Sequence, residues 1–512
     1  MTSPLPHWDL TTVYPGLDSI EFVKSHETFS QTVADLTKFF DNHAIMLPET
    51  SPPLDAETVT LFETVVTKIN TIMERTQTLS TYVMSFVTTD SRDEKAQARM
   101  SELMMQRMQL SKLNTRFTAW LGSLNVEALI EMSHIARDHA YALREASIEA
   151  QHLMSPVEET LAAELNLTGG SAWAKLYNNF SSQITHQVEI EGEVKTLPMT
   201  TIRNLAFEAD RGLRKRAYEA ELAAWDASSL PIASAMNSIK GQMNTLSARR
   251  GWDTPLDVAL FNNRIDRETL NMMMDTAREF FPDFRRYLNA KARLLGLNKL
   301  TWYDLFAPVG EIKREWTFDT SRDFIVEEFS AFSPKLGAMA ARAFAEHWID
   351  VEPRDGKRGG AFCAWLRDDE SRILANFKPA YSGMSTLAHE LGHAYHNLAR
   401  AGRTFIQRQT PMTLAETASN FCEIVVREAA LKTASTSEQI AILEASLQDA
   451  TQVIVDITSR YLFEMEVFER RQKRELSAEE LNAIMLESQR ATYGDGLDEE
   501  ALHPYMWAVK PH

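Results

Sequence analysis

The sequence predicts a predominantly α-helical protein with a small antiparallel β-sheet beside one chemically loaded helix. Glycine (19) and proline (18) are scarce for 512 residues, whereas Leu, Ala, Glu and Met are abundant, a composition that favours helices. Apolar residues recur at three- and four-residue spacings over long stretches. Strand-like segments are short and confined to two places, near residues 184–197 and 361–377.

Taken in order, Leu61, Val65, Ile69 and Met73, then Met100, Leu103, Met104 and Met108, predict long helices between about Asp55 and Leu121. A second helical block runs from about Val126 to Leu165 and ends at the breaker Asn166-Leu167-Thr168-Gly169-Gly170. From Ile184 to Leu197 the period changes to two, with a turn at Glu191-Gly192-Glu193, which reads as a β-hairpin. The hairpin marks a boundary, giving an N-terminal helical domain over 1–198 and a second domain over 199–512.

Helical patterning resumes from Met199 to about Arg250. Its cluster Asp210, Arg211, Arg214, Lys215 and Arg216 reads as a solvated face with internal salt bridges rather than an anion site. Further helices are expected over Arg267–Leu295 and Phe324–His347. The glycine-rich stretch from Asp355 to Gly360 lacks the arrangement of a phosphate-binding loop and reads as a turn. Apolar Ala361 to Leu366 and the Arg372–Phe377 segment then form two antiparallel strands. If the second strand is an exposed edge, its main chain around Ala375 and Asn376, with Gly359 and Gly360 in the loop, suits an extended peptide.

Bulk properties narrow the partners. A net charge of −18, from 53 Lys plus Arg against 71 Asp plus Glu, argues against nucleic acid. No stretch approaches 18 consecutive apolar residues and no signal peptide is visible, so no membrane span is expected. Cys363 and Cys422 are the only thiols. They read as inert buried residues of a cytoplasmic protein, and the 22 methionines as core filler.

The chemistry concentrates at His389-Glu390-Leu391-Gly392-His393. At about 100° per residue, histidines four apart fall roughly 40° apart on one helix face, so both imidazoles can reach one zinc ion. Glu390 points off that axis, where it can act on water as a base instead of ligating. Ser385 and Thr386 offer helix caps, which would put the motif in the first turn or two. Such a pentapeptide also arises by chance, and zinc of this class needs a third protein ligand. Glu416, between Ala415 and Ala418 on a helix returning after a loop between Gly402 and Pro411, is the candidate; an ordinary surface glutamate suits the position equally. Glu423 lies two turns further, either accepting an imidazole N–H or forming a helix salt bridge. His396 suits packing or an indirect role better than ligation.

The segments Thr386 to His396 and Leu414 to Ser419 together resemble the thimet oligopeptidase and oligoendopeptidase F superfamily of zinc peptidases, most closely the oligoendopeptidase F branch. Trp8-Asp9-Leu10, Trp302-Tyr303-Asp304-Leu305, Gly356-Lys357 with Gly359-Gly360-Ala361, and Trp507 to His512 extend the likeness. The resemblance implies a two-lobed helical enzyme whose catalytic domain spans 199–512. It further implies one zinc held by His389, His393 and Glu416, with Glu390 as general base and short unstructured peptides as substrates; the oligomeric state is left open. His512 falls on a histidine after which the family continues into a segment bearing oxyanion-binding tyrosines. The expectation is therefore a C-terminally incomplete domain, with a weakly active or non-catalytic zinc- and peptide-binding protein as the alternative.

Overall fold

Side-chain caps set the starts of the long helices. Asp55 accepts from Thr58 N at the head of Ala56–Thr89, and Asp93 from Ala96 N at the head of Glu94–Gly122. Reciprocal capping boxes, Ser155 with Glu158, Ser435 with Glu438 and Ser477 with Glu480, open three more. The computed structural model describes residues 5–310 and 314–509. It is predominantly helical, as the composition predicts, and among the described residues no helix is long and apolar enough to cross a membrane.

Two small sheets interrupt the helices. Strands β1 (Thr185–Ile190) and β2 (Glu193–Pro198) form the expected hairpin, closed by Glu191 and Gly192, both at positive φ (54° and 83°) as a type I′ turn requires. In the second sheet β3 (Ile349–Asp350), β4 (Phe362–Arg367) and β5 (Glu370–Leu374) take the order β3-β5-β4. The β4–β5 pair is the expected antiparallel one, and β3 adds a short parallel strand to the far side of β5. That strand was not anticipated, because a two-residue element leaves no periodicity in the sequence.

Packing divides the chain into two units, and neither is one continuous stretch. The first comprises Met1–Leu153 with Arg314–Thr433, the second Met154–Lys313 with Ala434–His512. The linear division expected at residue 198 differs from this for a physical reason. The core of the first unit joins Phe22, Phe29, Phe62, Leu79 and Tyr82 of the N-terminal helices to Leu366 of β4 and Leu374 of β5, so the first 153 residues do not close a core alone. The Trp8-Asp9-Leu10 segment belongs to the same assembly. The buried Arg372 donates to Asp9 O at 3.0 and 3.2 Å, and Asp9 N donates to His347 O.

Helix phases differ in detail. Leu103, Leu110, Leu113 and Leu121 are buried and Met100 packs against them as expected, while Met104 and Met108 face solvent. Several methionines, Met272 and Met412 among them, are exposed and so are not core filler. The expected block over Phe324–His347 is two helices, Phe318–Phe332 and Pro334–Ala345, separated where Pro334 removes an N–H.

In the second unit a buried core gathers Trp225, Met236, Phe463, Leu481, Met485 and Trp507. The basic cluster there is only partly a solvated face. Lys215 pairs with Glu219 and Arg216 with Asp210, but Arg211 and the buried Arg214 both donate to Asp304, itself fully buried. Burial alone would raise the Asp304 carboxyl; the hydrogen bonds from Arg211, Thr301 and Arg214 outweigh it and hold it below its ordinary 3.8. Asp304→Asn leaves Arg214 buried without its counter-charge and is expected to cost about 3 kcal/mol. Urea unfolding checks this. The gap to the parent protein narrows as pH falls below the ordinary carboxyl range, because a depressed carboxyl contributes stability only while ionised.

Candidate metal centre

The motif helix spans Tyr381–Ala399. It starts earlier than expected, with Ala380 at its head and no side-chain cap, so Ser385 and Thr386 lie inside it and Thr386 Oγ1 donates to Ser382 O. The motif therefore spans the third and fourth turns. Gly383 permits that early start: a Cβ there would stand 2.1 Å from Lys378 O. His389 and His393 stack up one face, ring centroids 4.9 Å apart, each about one-fifth exposed.

After the helix the chain turns at Gly402 (φ 80°) and is fastened to the N-terminal helices. The buried His139 meets Thr404 Oγ1 at 2.8 Å, Asn70 Oδ1 accepts from Ile406 N at 3.0 Å, and Gln407 donates to Asp138 O. Arg408 pairs with Glu74 and lies over the Trp365 ring. A short helix, Met412–Ala415, then leads into the ligand helix Thr417–Thr433, with Glu416 at the junction.

Glu416 Oε2 lies 3.1 Å from His389 Nε2 and 3.1 Å from His393 Nε2. Among the described residues these three form the one group of His, Cys, Asp and Glu side chains whose ligand atoms converge. Bonds of 2.0 to 2.1 Å at tetrahedral angles put ligand atoms about 3.3 Å apart. The donor set, two imidazoles and a carboxylate, and its spacing both fit zinc. Glu423 Oε1 is 3.3 Å from His389 Nδ1, on the far side of the ring, so it can hold that proton and leave Nε2 to the ion.

The two helices cross closely enough to require glycine. A Cβ on Gly392 would stand 2.6 Å from Ala418 O and 2.6 Å from Ser419 Cα. Increasing position along the ligand helix, from Glu416 to Glu423, matches decreasing position along the motif helix, so the two run antiparallel.

Electrostatics separate the roles. Glu390 is 5% exposed and its Oε2 makes no hydrogen bond to any described group. Burial pushes its carboxyl up to about 7; His389 opposes the shift, and Glu416 and Glu423 add to it. Glu416 moves the other way, since the Ser419 hydrogen bond and the two imidazoles outweigh its burial and hold it below the ordinary range. Burial lowers His393; at His389 burial is again the largest influence, but the Glu423 hydrogen bond and the charges of Glu423, Glu390 and Glu416 together outweigh it and the net shift is upward.

The other expected positions fall differently. His396 is outside the converging group, its basicity lowered by burial and by Arg400. Strand β5 is the middle strand, so the edge expected at Ala375 is absent: Ala375 N donates to Asp350 O, and Ala375 O accepts from Lys357 Nζ at 2.7 Å. Asn376 Nδ2 donates to Arg358 O and Gly360 O, both at 2.9 Å, tying the Gly359-Gly360 loop to the end of the sheet. His512 lies outside the described residues. Sequence reasoning missed Ser419, His139 and Asn70. A hydroxyl three residues after a candidate ligand could have flagged Ser419; long-range contacts of His139 and Asn70 carry no sequence signal.

A helical fold in which a His-Glu-X-X-His helix meets a carboxylate from the next helix defines a class of peptidase. The model for peptidase family M3 matches residues 205–509, and the chain belongs to that family. Its relatives place it in the oligoendopeptidase F branch. An oligoendopeptidase F homolog of Lactococcus lactis subsp. lactis is 23% identical over 99% of this chain and 83% of its own length. Group B oligopeptidase PepB of Streptococcus agalactiae is 24% identical with the same coverage. Among solved structures, a putative peptidase from Chlamydophila abortus superposes with a TM-score of 0.77 at 21% identity, covering 99% of this chain and 84% of that one. Oligoendopeptidase-F from Enterococcus faecium gives 0.68 at 17%, covering 96% and 83%. The solved structures establish a shared fold.

Gly392→Ala forces the crossing apart. The expected outcome is a loss of about 1 to 3 kcal/mol in stability, as for an overpacked core, and metal affinity reduced on the order of tenfold or more as Glu416 is displaced. Thermal unfolding and chelator competition measure the two separately.

Proposed function

We propose that this M3 peptidase is a zinc-dependent endopeptidase of short, unstructured peptides, holding one zinc through His389, His393 and Glu416. The observation that carries the reading is the convergence of three ligand atoms beside a buried carboxyl, Glu390, whose proton affinity is raised to about 7. The names of the relatives, oligoendopeptidase F and oligopeptidase, support the substrate class.

When bound, zinc supplies Lewis-acid polarisation of the scissile carbonyl and makes water more acidic. The chain's own residues do the rest. Glu390 takes a proton from the attacking water as its oxygen bonds to the carbonyl carbon; it then delivers that proton to the departing amine as the C–N bond breaks. A carboxyl poised near 7 suits both halves of that transfer. Glu423 keeps the His389 proton on Nδ1.

An extended peptide finds its edge on β4 rather than on β5. Gln77 and Thr81 already donate to Trp365 O and Thr78 to Leu366 O, so the far half of β4 is taken. Residues 361–363 are the part left to pair with a substrate main chain. Cys363 and Cys422 are both free thiols, which supports a reducing, cytoplasmic setting.

Metal analysis and turnover of an internally quenched oligopeptide test the proposal together. The expected result is one zinc per chain, turnover abolished by chelation, and Glu390→Gln slower by about 10² to 10⁴ with zinc retained. Undiminished turnover in that variant removes Glu390 as the base. Zinc binding without turnover in the parent protein turns the reading to a peptide-binding zinc protein.

A further inference from the structure

Glu416 is an unusual ligand to leave unsupported. It sits at the junction of two helices, its side chain is 56% exposed, and a glutamate so placed loses rotamer freedom when it is held against two imidazoles. Something has to fix the carboxylate. Ser419, one turn along the ligand helix and 0% exposed, places Oγ 2.7 Å from Glu416 Oε2 and 3.0 Å from Glu416 O. Its single hydroxyl proton goes to one acceptor at a time, and the shorter contact to the charged oxygen is the stronger.

Oε2 is also the oxygen that stands 3.1 Å from both imidazole nitrogens. We propose that Ser419 is a positioning residue of the metal centre: its hydroxyl occupies one lone pair of Glu416 Oε2, presents the other to the ion, and keeps the carboxylate monodentate. The inference rests on the zinc reading above and deepens it.

A second geometric fact ties the hydroxyl to the histidines. The backbone of Ser419 is the part of the ligand helix that abuts Gly392, where a Cβ would stand 2.6 Å from Ser419 Cα. Gly392 is the residue before His393. The donor that orients the third ligand is thus referenced to the helix that carries the first two, and all three ligand positions share one frame. Glu423 governs the imidazole of His389 in the same manner, so each class of ligand has its own support.

The test compares Ser419→Ala with the parent protein in three readouts. Zinc affinity, measured by competition with a chromophoric chelator, is expected to fall about 10- to 100-fold, the usual effect of losing a partner behind a ligand. The visible spectrum of the cobalt-substituted protein is expected to lose intensity, as a freed carboxylate adds its second oxygen and raises the coordination number. Turnover is expected to follow metal occupancy as zinc is added, and a loss that does not change with added zinc overturns positioning in favour of a part in the chemistry. Ser419→Cys, close in volume with a weaker donor, carries the same comparison if the alanine variant does not fold. Zinc affinity within twofold of the parent and an unchanged cobalt spectrum overturn the proposal. A parent protein that binds no zinc overturns the zinc reading instead, and that outcome is seen before any variant is made.

Discussion

The approach of two helices at Gly392 is the constraint on which the proposed metal centre depends. With no side chain at that position, the motif helix and the ligand helix come close enough for Glu416 to reach both imidazoles and for Glu423 to reach the back of one. A carboxylate side chain spans only a few ångströms, so ligation from a second helix is possible only where the backbones nearly touch. The same contact buries Ser419, which excludes solvent from one side of the cluster while the imidazole edges stay partly exposed.

That crossing is held from outside as well. The connection between the two helices is fastened to the N-terminal bundle by His139, Asn70 and Glu74. Arg400, at the end of the motif helix, donates to Arg408 O and Thr410 Oγ1 across the loop and pairs with Asn397. Asn397 in turn donates to Ser371 of β5. Helix, loop and strand are therefore joined by polar contacts that are mostly part-buried and anchored on the buried Asn70, His139, Asn397 and Ser371, a setting in which a missing partner is costly. Among the described residues the N-terminal helices add nothing to the converging His389, His393 and Glu416 group, yet they hold its geometry.

Much of this was legible in the residues. Helical content, the β1–β2 hairpin with its Glu-Gly turn, the antiparallel β4–β5 pair and the two histidines follow from local periodicity and turn chemistry. That Glu416 converges with the two histidines was legible only as one of two readings, because spacing along a chain does not say which helices touch. The errors share a cause. Ser385 and Thr386 look like caps, but a glycine packed on Lys378 O lets the helix begin earlier. Ala375 looks like an edge until a two-residue strand, β3, covers it. The Arg211 and Arg214 cluster looks solvated until Asp304, some 90 residues away, is brought against it. In each case a long-range contact outweighs a local preference.

The interleaving of the first unit has a consequence for synthesis. The first 153 residues leave the ribosome carrying Phe22, Phe29, Phe62 and Tyr82, yet the leucines that complete their core, Leu366 and Leu374, emerge roughly 200 residues later. At 5 to 20 residues per second that delay is roughly 10 to 40 s. Through that interval the bundle presents unfinished apolar surface, a demand on chaperones that a linear arrangement would avoid. The segment that closes the bundle also precedes the two histidines and Glu416 in the chain. The proposed hydrolytic centre is assembled only after the nascent protein has covered its own first helices.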